Sequence, residues 1–387
     1  MSMLLPARGT RVLFFEAVAL LVGATVGAGI LGIPFVVAKT GVGLGLMYLL
    51  GLGFVAIVFN LLLGEVVART PGTMQLAGLA RRYLGTPGQV VMSVIFLVGT
   101  YSALLAYIIG EGAVLQALFG GSSFAWSLLF FVCGAVFVYR GLATVKVVEL
   151  IMTVGLFIAV ILLAFAAAPD MRFSDLPKAI DWSYFFLPFG VMLFAYHGSA
   201  AIPLVRTLLK RDGALFKKAV ICGGALVMVM YIVFTLVVVG ATGSATTEIA
   251  TVGLGDMLGR GVLIIGNVFA FFSMGTCFIL LGTAIRETFE WDYHLHPKVA
   301  ILLTLIAPLL LFLIGARSFV QVIGIAGAFV ASIEVALVVL MYFRVQKVDK
   351  TVSRAEFHMR YAPLVSAFLI GIFVLASAYS VWNFLEK

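Results

Sequence analysis

The chain has 387 residues, of which 63% are hydrophobic and 11% charged, with a mean hydropathy of +1.19. Soluble domains carry about a quarter charged residues, so a water-soluble fold is excluded. A formal charge of +8 would point to nucleic acid in a soluble protein, but here the basic residues sit in short loops between apolar runs. There they orient the chain in a lipid bilayer, and no nucleic-acid partner is expected. Cys133, Cys222 and Cys277 lie inside apolar runs without CxxC or His-spaced patterns, so neither a disulfide framework nor a zinc site is expected.

Roughly 20 apolar residues cross the hydrocarbon core. That length predicts an all-α polytopic membrane protein with eleven membrane helices, at about 12–38, 42–68, 89–112, 124–140, 144–168, 182–209, 215–240, 261–289, 298–315, 320–343 and 361–383. The first run is too long for a signal-peptide core and lacks a cleavage pattern, so it reads as a retained span. With the N-terminus cytoplasmic, 19 of the 25 Lys and Arg fall on the cytoplasmic side. The sequence therefore reads as N-terminus inside and C-terminus outside, in the cell membrane. In loop 72–87, Leu76, Leu79, Ala80, Tyr83 and Leu84 share one helical face beside Arg81 and Arg82. That pattern predicts an interfacial amphipathic helix. Loop 241–260 is Gly- and Thr-rich, and reads equally as a helical lid or an inert connector.

Two spans carry helix-breaking clusters at matching places. Span 1 contains Gly-Ile-Leu-Gly-Ile-Pro at Gly29–Pro34, and span 6 contains Gly-Ser-Ala-Ala-Ile-Pro at Gly198–Pro203, 169 positions later. Glycine and proline are costly inside a helix. Irregular backbone at membrane depth survives only where it is buried or lines a cavity. Close helix packing would explain either motif alone. Paired breaks in corresponding halves point instead to a transporter's substrate site. Unwinding exposes N–H groups suited to a carboxylate and carbonyls suited to an ammonium. A zwitterionic amino acid offers both charges a few ångströms apart. The pairing implies a single domain over 1–387, with inverted five-helix repeats at about 12–168 and 182–343 and one extra helix at 361–383.

Four segments carry a resemblance: GATVGAGILGIP in span 1, TYSALLAYIIGEG at Thr100–Gly112, FAYHG at Phe194–Gly198, and SMGTCFILLGTA at Ser273–Ala284. In that order they resemble the amino acid/auxin permease family of the amino acid–polyamine–organocation superfamily, closest to the bacterial aromatic amino acid permeases. The resemblance implies the leucine-transporter fold and alternating-access, cation-coupled symport of a neutral, hydrophobic or aromatic L-amino acid, with a monomer as the simplest unit. It places the substrate carboxylate near Thr25, Gly27, Ala28 and Gly29, and the ammonium near Phe194, Ala195 and His197. Tyr101, Tyr107, Phe271, Phe272 and Ser273 are candidates for the side-chain pocket. No catalytic residue or organic cofactor is implied.

The resemblance also suggests a sodium site at the carbonyls of Gly23, Val26 and Ser273 with the side chains of Thr276 and Cys277. A thiol is a poor ligand for an alkali cation. Proton-coupled relatives carry a mid-span lysine in span 5, where this chain has only Lys146 at the span's start. Sodium stands slightly ahead of the proton on these residues. Ionisable residues within the spans are few, and Glu65, His197 and Glu334 stand out among them as functional candidates. Glu65 with Arg69 one turn on suggests an inner-gate or anchoring pair. A membrane enzyme finds no support, having neither HExxH nor facing acids, and an ion exchanger would need paired acids at mid-span where Glu334 stands alone.

Overall fold

With no water in hydrocarbon, each backbone N–H and C=O must pair within its own segment, and the long apolar runs do so as helices. The computed structural model describes residues 10–140, 142–172, 176–177, 179–209, 212–315, 319–348, 363 and 366–371. Span 1 is split into α1 (Thr10–Thr25) and α2 (Ala28–Thr40), bent by 55° at Val26 and Gly27. Spans 2 to 5 are α3 (Val42–Arg69), α4 (Leu76–Phe119), α5 (Ser123–Arg140) and α6 (Leu142–Ala167). Span 6 is split into α7 (Leu187–Ala195) and α8 (Ala201–Leu208), with the break where the sequence puts it. Then follow α9 (Gly213–Thr242), a short α10 (Ala250–Leu258), α11 (Arg260–Glu287), α12 (Pro297–Ile314) and α13 (Phe319–Val348). Ten of the eleven predicted spans thus appear among the described residues, while the eleventh falls largely outside them.

The two broken spans lie side by side and antiparallel, because α2 packs on α7 while α1 packs on α8. Around them, α4 runs along α13, α9 supports α1, α2 and α3, and α11 leans on α1, α4 and α6. Lipid offers little hydrophobic gain for helix association, so close packing and buried hydrogen bonds hold such bundles. Gly29 shows the first: a Cβ there would lie 2.5 Å from Ala195 Cα, so the glycine lets the backbones of the two breaks meet.

The amphipathic stretch at 72–87 forms the start of α4, but its apolar face is not turned to lipid. Leu76, Leu79, Ala80 and Tyr83 are buried in protein. The Asp292 carboxylate draws the segment inward by accepting the N–H of Gly78 at 2.8 Å and of Gln75 at 3.3 Å, capping the helix start. The Tyr83 and Thr70 hydroxyls meet at 2.8 Å. The kink into the membrane part of α4 falls at Gly85, whose φ of 76° few other residues accept. In the 241–260 loop a helix does form, α10, seated on α11, α9 and α2.

Candidate functional site

The last carbonyls of α1 have no N–H donors in their own helix and need them from elsewhere. Neighbouring helices supply them. The thiol of Cys277 donates to Gly23 O at 2.8 Å, and the hydroxyl of Ser273 is shared between Val26 O at 2.9 Å and Gly27 O at 3.2 Å. Thr25 closes its own turn through its hydroxyl to Leu21 O at 2.7 Å. The Tyr231 hydroxyl of α9 lies 2.9 Å from Thr25 O and 2.7 Å from Ala195 O, so one phenol bridges the two breaks. Tyr231 is fully buried. Sequence reading missed it, and its signal was a hydroxyl in an apolar span that needs a buried partner.

Between the breaks lies a cavity. Thr25, Gly27 and Gly29 line it from span 1, and Phe194, His197 and Ala200 from span 6. Gly99, Thr100, Ala103 and Tyr107 of α4 face them, with Gly327 and Val330 of α13 beside. The first-turn N–H groups of α2, at Ala28 and Gly29, lie at the positive end of its dipole. Apart from His197, no Asp, Glu, Lys, Arg or His lines this cavity among the described residues. Such a site suits a ligand that brings a carboxylate to the backbone and an uncharged side chain to the walls.

The structure therefore brings together Thr25, Gly27, Gly29, Tyr107, Phe194 and His197, with Ala28 and Ala195 buried beside them. Ser273 is buried against the span 1 break rather than lining the cavity. Three predicted wall residues, Tyr101, Phe271 and Phe272, do not line the cavity. Tyr101 sits about 120° around α4 from Tyr107, and its hydroxyl donates to Leu303 O of α12 at 2.8 Å. Phe272 is 38% exposed, and its ring packs edge-on against Phe271. Gly99, Thr100, Ala103, Gly327 and Val330 were not singled out, because small and aliphatic residues in a span carry no local mark of a site.

The five residues suggested for sodium do meet, but they are bonded to one another. Cys277 occupies Gly23 O, Ser273 occupies Val26 O, and the Thr276 hydroxyl donates to Ser273 O at 3.0 Å. These bonds engage the same groups that would face the ion, and a soft thiol stands where a hard oxygen is needed. So bonded, the donor set does not fit a sodium ion.

Glu65 accepts from Arg69 at 2.8 Å, one turn apart on α3. Glu334 of α13 is buried with Oε2 3.2 Å from His197 Nε2. A further acid went unremarked in the sequence: Glu111 of α4 is fully buried, and neither of its oxygens finds a hydrogen-bond partner among the described residues.

The profile of the tryptophan/tyrosine permease family matches residues 10–377. The chain belongs to that family. It is 26% identical to the tyrosine-specific transport system 2 of Haemophilus influenzae over 404 aligned positions, covering 96% of this chain and 97% of that one. To glutamine transporter 2 of Aliivibrio fischeri it is 22% identical, covering 89% and 92%. Among solved structures, MhsT in complex with L-phenylalanine matches at a TM-score of 0.72 with 16% identity, over 96% of this chain and 98% of that one. This permease is accordingly a multi-pass membrane transporter of amino acids with the leucine-transporter fold, and not an enzyme.

Proposed function

We propose that this permease imports an aromatic L-amino acid of the tyrosine class, coupled to protons rather than sodium. One observation carries the reading. The first-turn N–H groups of α2 open at a cavity walled by Tyr107 and Phe194, with no acidic or basic side chain but His197 among the described residues. Backbone dipoles take the carboxylate, and the aromatic walls take a ring by offset or edge-on contact. The tyrosine-specific Haemophilus relative and the phenylalanine bound to MhsT agree with that chemistry. Against sodium stands the Cys277–Gly23 bond, which puts a soft thiol among the suggested ligands. The basic residues favour a cell-membrane orientation with the N-terminus in the cytoplasm and the C-terminus outside.

The test is uptake of labelled L-tyrosine into proteoliposomes. An inwardly directed proton gradient in sodium-free buffer drives accumulation, and unlabelled tryptophan and phenylalanine compete while lysine does not. Glutamine competing as well as the aromatic amino acids would overturn the substrate class. Accumulation that follows a sodium gradient and ignores the proton gradient would overturn the coupling.

A further inference from the structure

His197 stands at a junction. It lies in the unwound link between α7 and α8 and lines the substrate cavity on one side. On the other it lines a smaller apolar cavity with Val55, Phe59, Leu193 and Tyr196, into which Glu334 projects. Its Nε2 is 3.2 Å from Glu334 Oε2 and 3.3 Å from Ser199 Oγ. The two partners differ sharply in access: 25% of the His197 side chain is exposed, against 1% of Glu334.

Resting on the proton-coupled reading, we propose that His197 and Glu334 together form the carrier's proton-binding site. His197 is the member that exchanges protons with the substrate cavity, and Glu334 is the buried carboxyl that the bound proton neutralises.

The argument is one of charge and solvation. A bare carboxylate in an apolar cavity costs several kcal/mol, and imidazole is its one ionisable partner among the described residues. With one proton on the pair, as imidazolium and carboxylate or as imidazole and carboxylic acid, the net charge is zero and the pair is tolerated in the enclosed state. With that proton gone, a lone negative charge is left. The step is a simple transfer: hydronium in the open substrate cavity gives a proton to the imidazole nitrogen and becomes water. The N–H or O–H bond so formed breaks, passing the proton to water, when the cavity opens to the other side. Since His197 sits on the link that the substrate contacts, loading of the two is coupled through one segment.

Other charged groups do not supply the partner. On α3, the wall residues Val55, Ala56 and Phe59 are apolar, while Glu65 further along is held by Arg69. Just past the end of α7, the Tyr196 hydroxyl donates to Leu49 O at 2.9 Å. On α13, Tyr342 meets Glu65 about two turns beyond Glu334. On α4, Gly99 faces Val330 and Gly110 faces Phe319. That antiparallel register places Glu111 roughly 24 Å along the helix pair from Glu334.

The experiment is L-tyrosine binding to the purified protein from acid to alkaline pH, with proteoliposome uptake and exchange alongside. In the wild type, apparent affinity falls by up to about tenfold per pH unit on the alkaline side, as linkage to one proton requires. Glu334→Gln, a fixed neutral mimic of the protonated acid, binds tyrosine with a flat pH profile. It still exchanges internal for external tyrosine, and it loses accumulation driven by the proton gradient. A Glu334→Gln variant that keeps the wild-type pH profile and accumulation overturns the site. Should that variant fail to assemble, His197→Gln carries the test by removing the basic partner: the midpoint moves by about one pH unit or more, and an unmoved midpoint overturns the pair. Wild-type uptake indifferent to the proton gradient brings down the proton-coupled reading itself. A responsive wild type with variants that respond just as it does brings down only the residues assigned here.

Discussion

The Cys277 thiol donates to the Gly23 carbonyl at 2.8 Å and ties the middle of α11 to the last turns of α1. The bond joins two of the groups suggested for a cation, and one of them is a soft thiol. L-tyrosine affinity should therefore agree within about twofold between sodium and choline buffers, since a coupled ion is typically worth about 1–3 kcal/mol. Cys277→Ala should lower stability by about 1 kcal/mol, the net value of a buried hydrogen bond, and still show no sodium effect. Calorimetric titration in the two salts checks this, and a sodium-dependent gain in the wild type would reopen the ion site.

Tyr231→Phe removes the hydroxyl that both breaks share. Two buried carbonyls lose a donor, at about 1–3 kcal/mol. A lower unfolding midpoint together with weaker tyrosine binding is expected. Unchanged values of both would show that the bridge holds nothing.

Side-chain selectivity should follow Phe194 and not Tyr101. Phe194→Leu should change the ranking of tyrosine, tryptophan and leucine in competition binding, because that ring lines the cavity. Tyr101→Phe should leave the ranking alone and cost under about 1 kcal/mol of stability, since its bond to Leu303 lies on an exposed face. A reordered ranking in Tyr101→Phe would put that residue back in the pocket wall.

Gly29→Ala places a methyl 2.5 Å from Ala195 Cα. The expected result is overpacking of about 1–3 kcal/mol and less folded protein, with substrate loss secondary to it. Thermal unfolding read beside binding separates the two. A stable variant that only loses tyrosine would show that the space at Gly29 belongs to the ligand.

The position of the two breaks could be read from the sequence, because both are written in glycine and proline clusters that a continuous helix tolerates poorly. Thr25, Gly27, Gly29, Phe194 and His197 were placed at the breaks by the resemblance to the aromatic amino acid permeases, laid over that signal. What lies around the breaks is harder to read. Tyr101 and Tyr107 belong to one motif, yet six residues of helical rotation send them to different neighbours, a distinction invisible without the facing helix. Tyr231 is one aromatic among many in an apolar span, and its role depends on two carbonyls that exist only once spans 1 and 6 unwind beside it. The 76–84 helix shows the same limit. Its apolar stripe is plain in the sequence, but lipid and protein are equally apolar partners, and Asp292 decides between them from more than 200 residues away.

The central claim is that the backbone at the two breaks recognises the zwitterion of an amino acid. Calorimetric titration of the purified permease with L-tyrosine and with tyramine, which lacks only the carboxylate, tests it most directly. Loss of charge-assisted hydrogen bonds worth about 1.5–3 kcal/mol should weaken tyramine by roughly 10- to 100-fold. Equal affinity for the two would contradict carboxylate capture at α2 and remove the broken helices as the binding site.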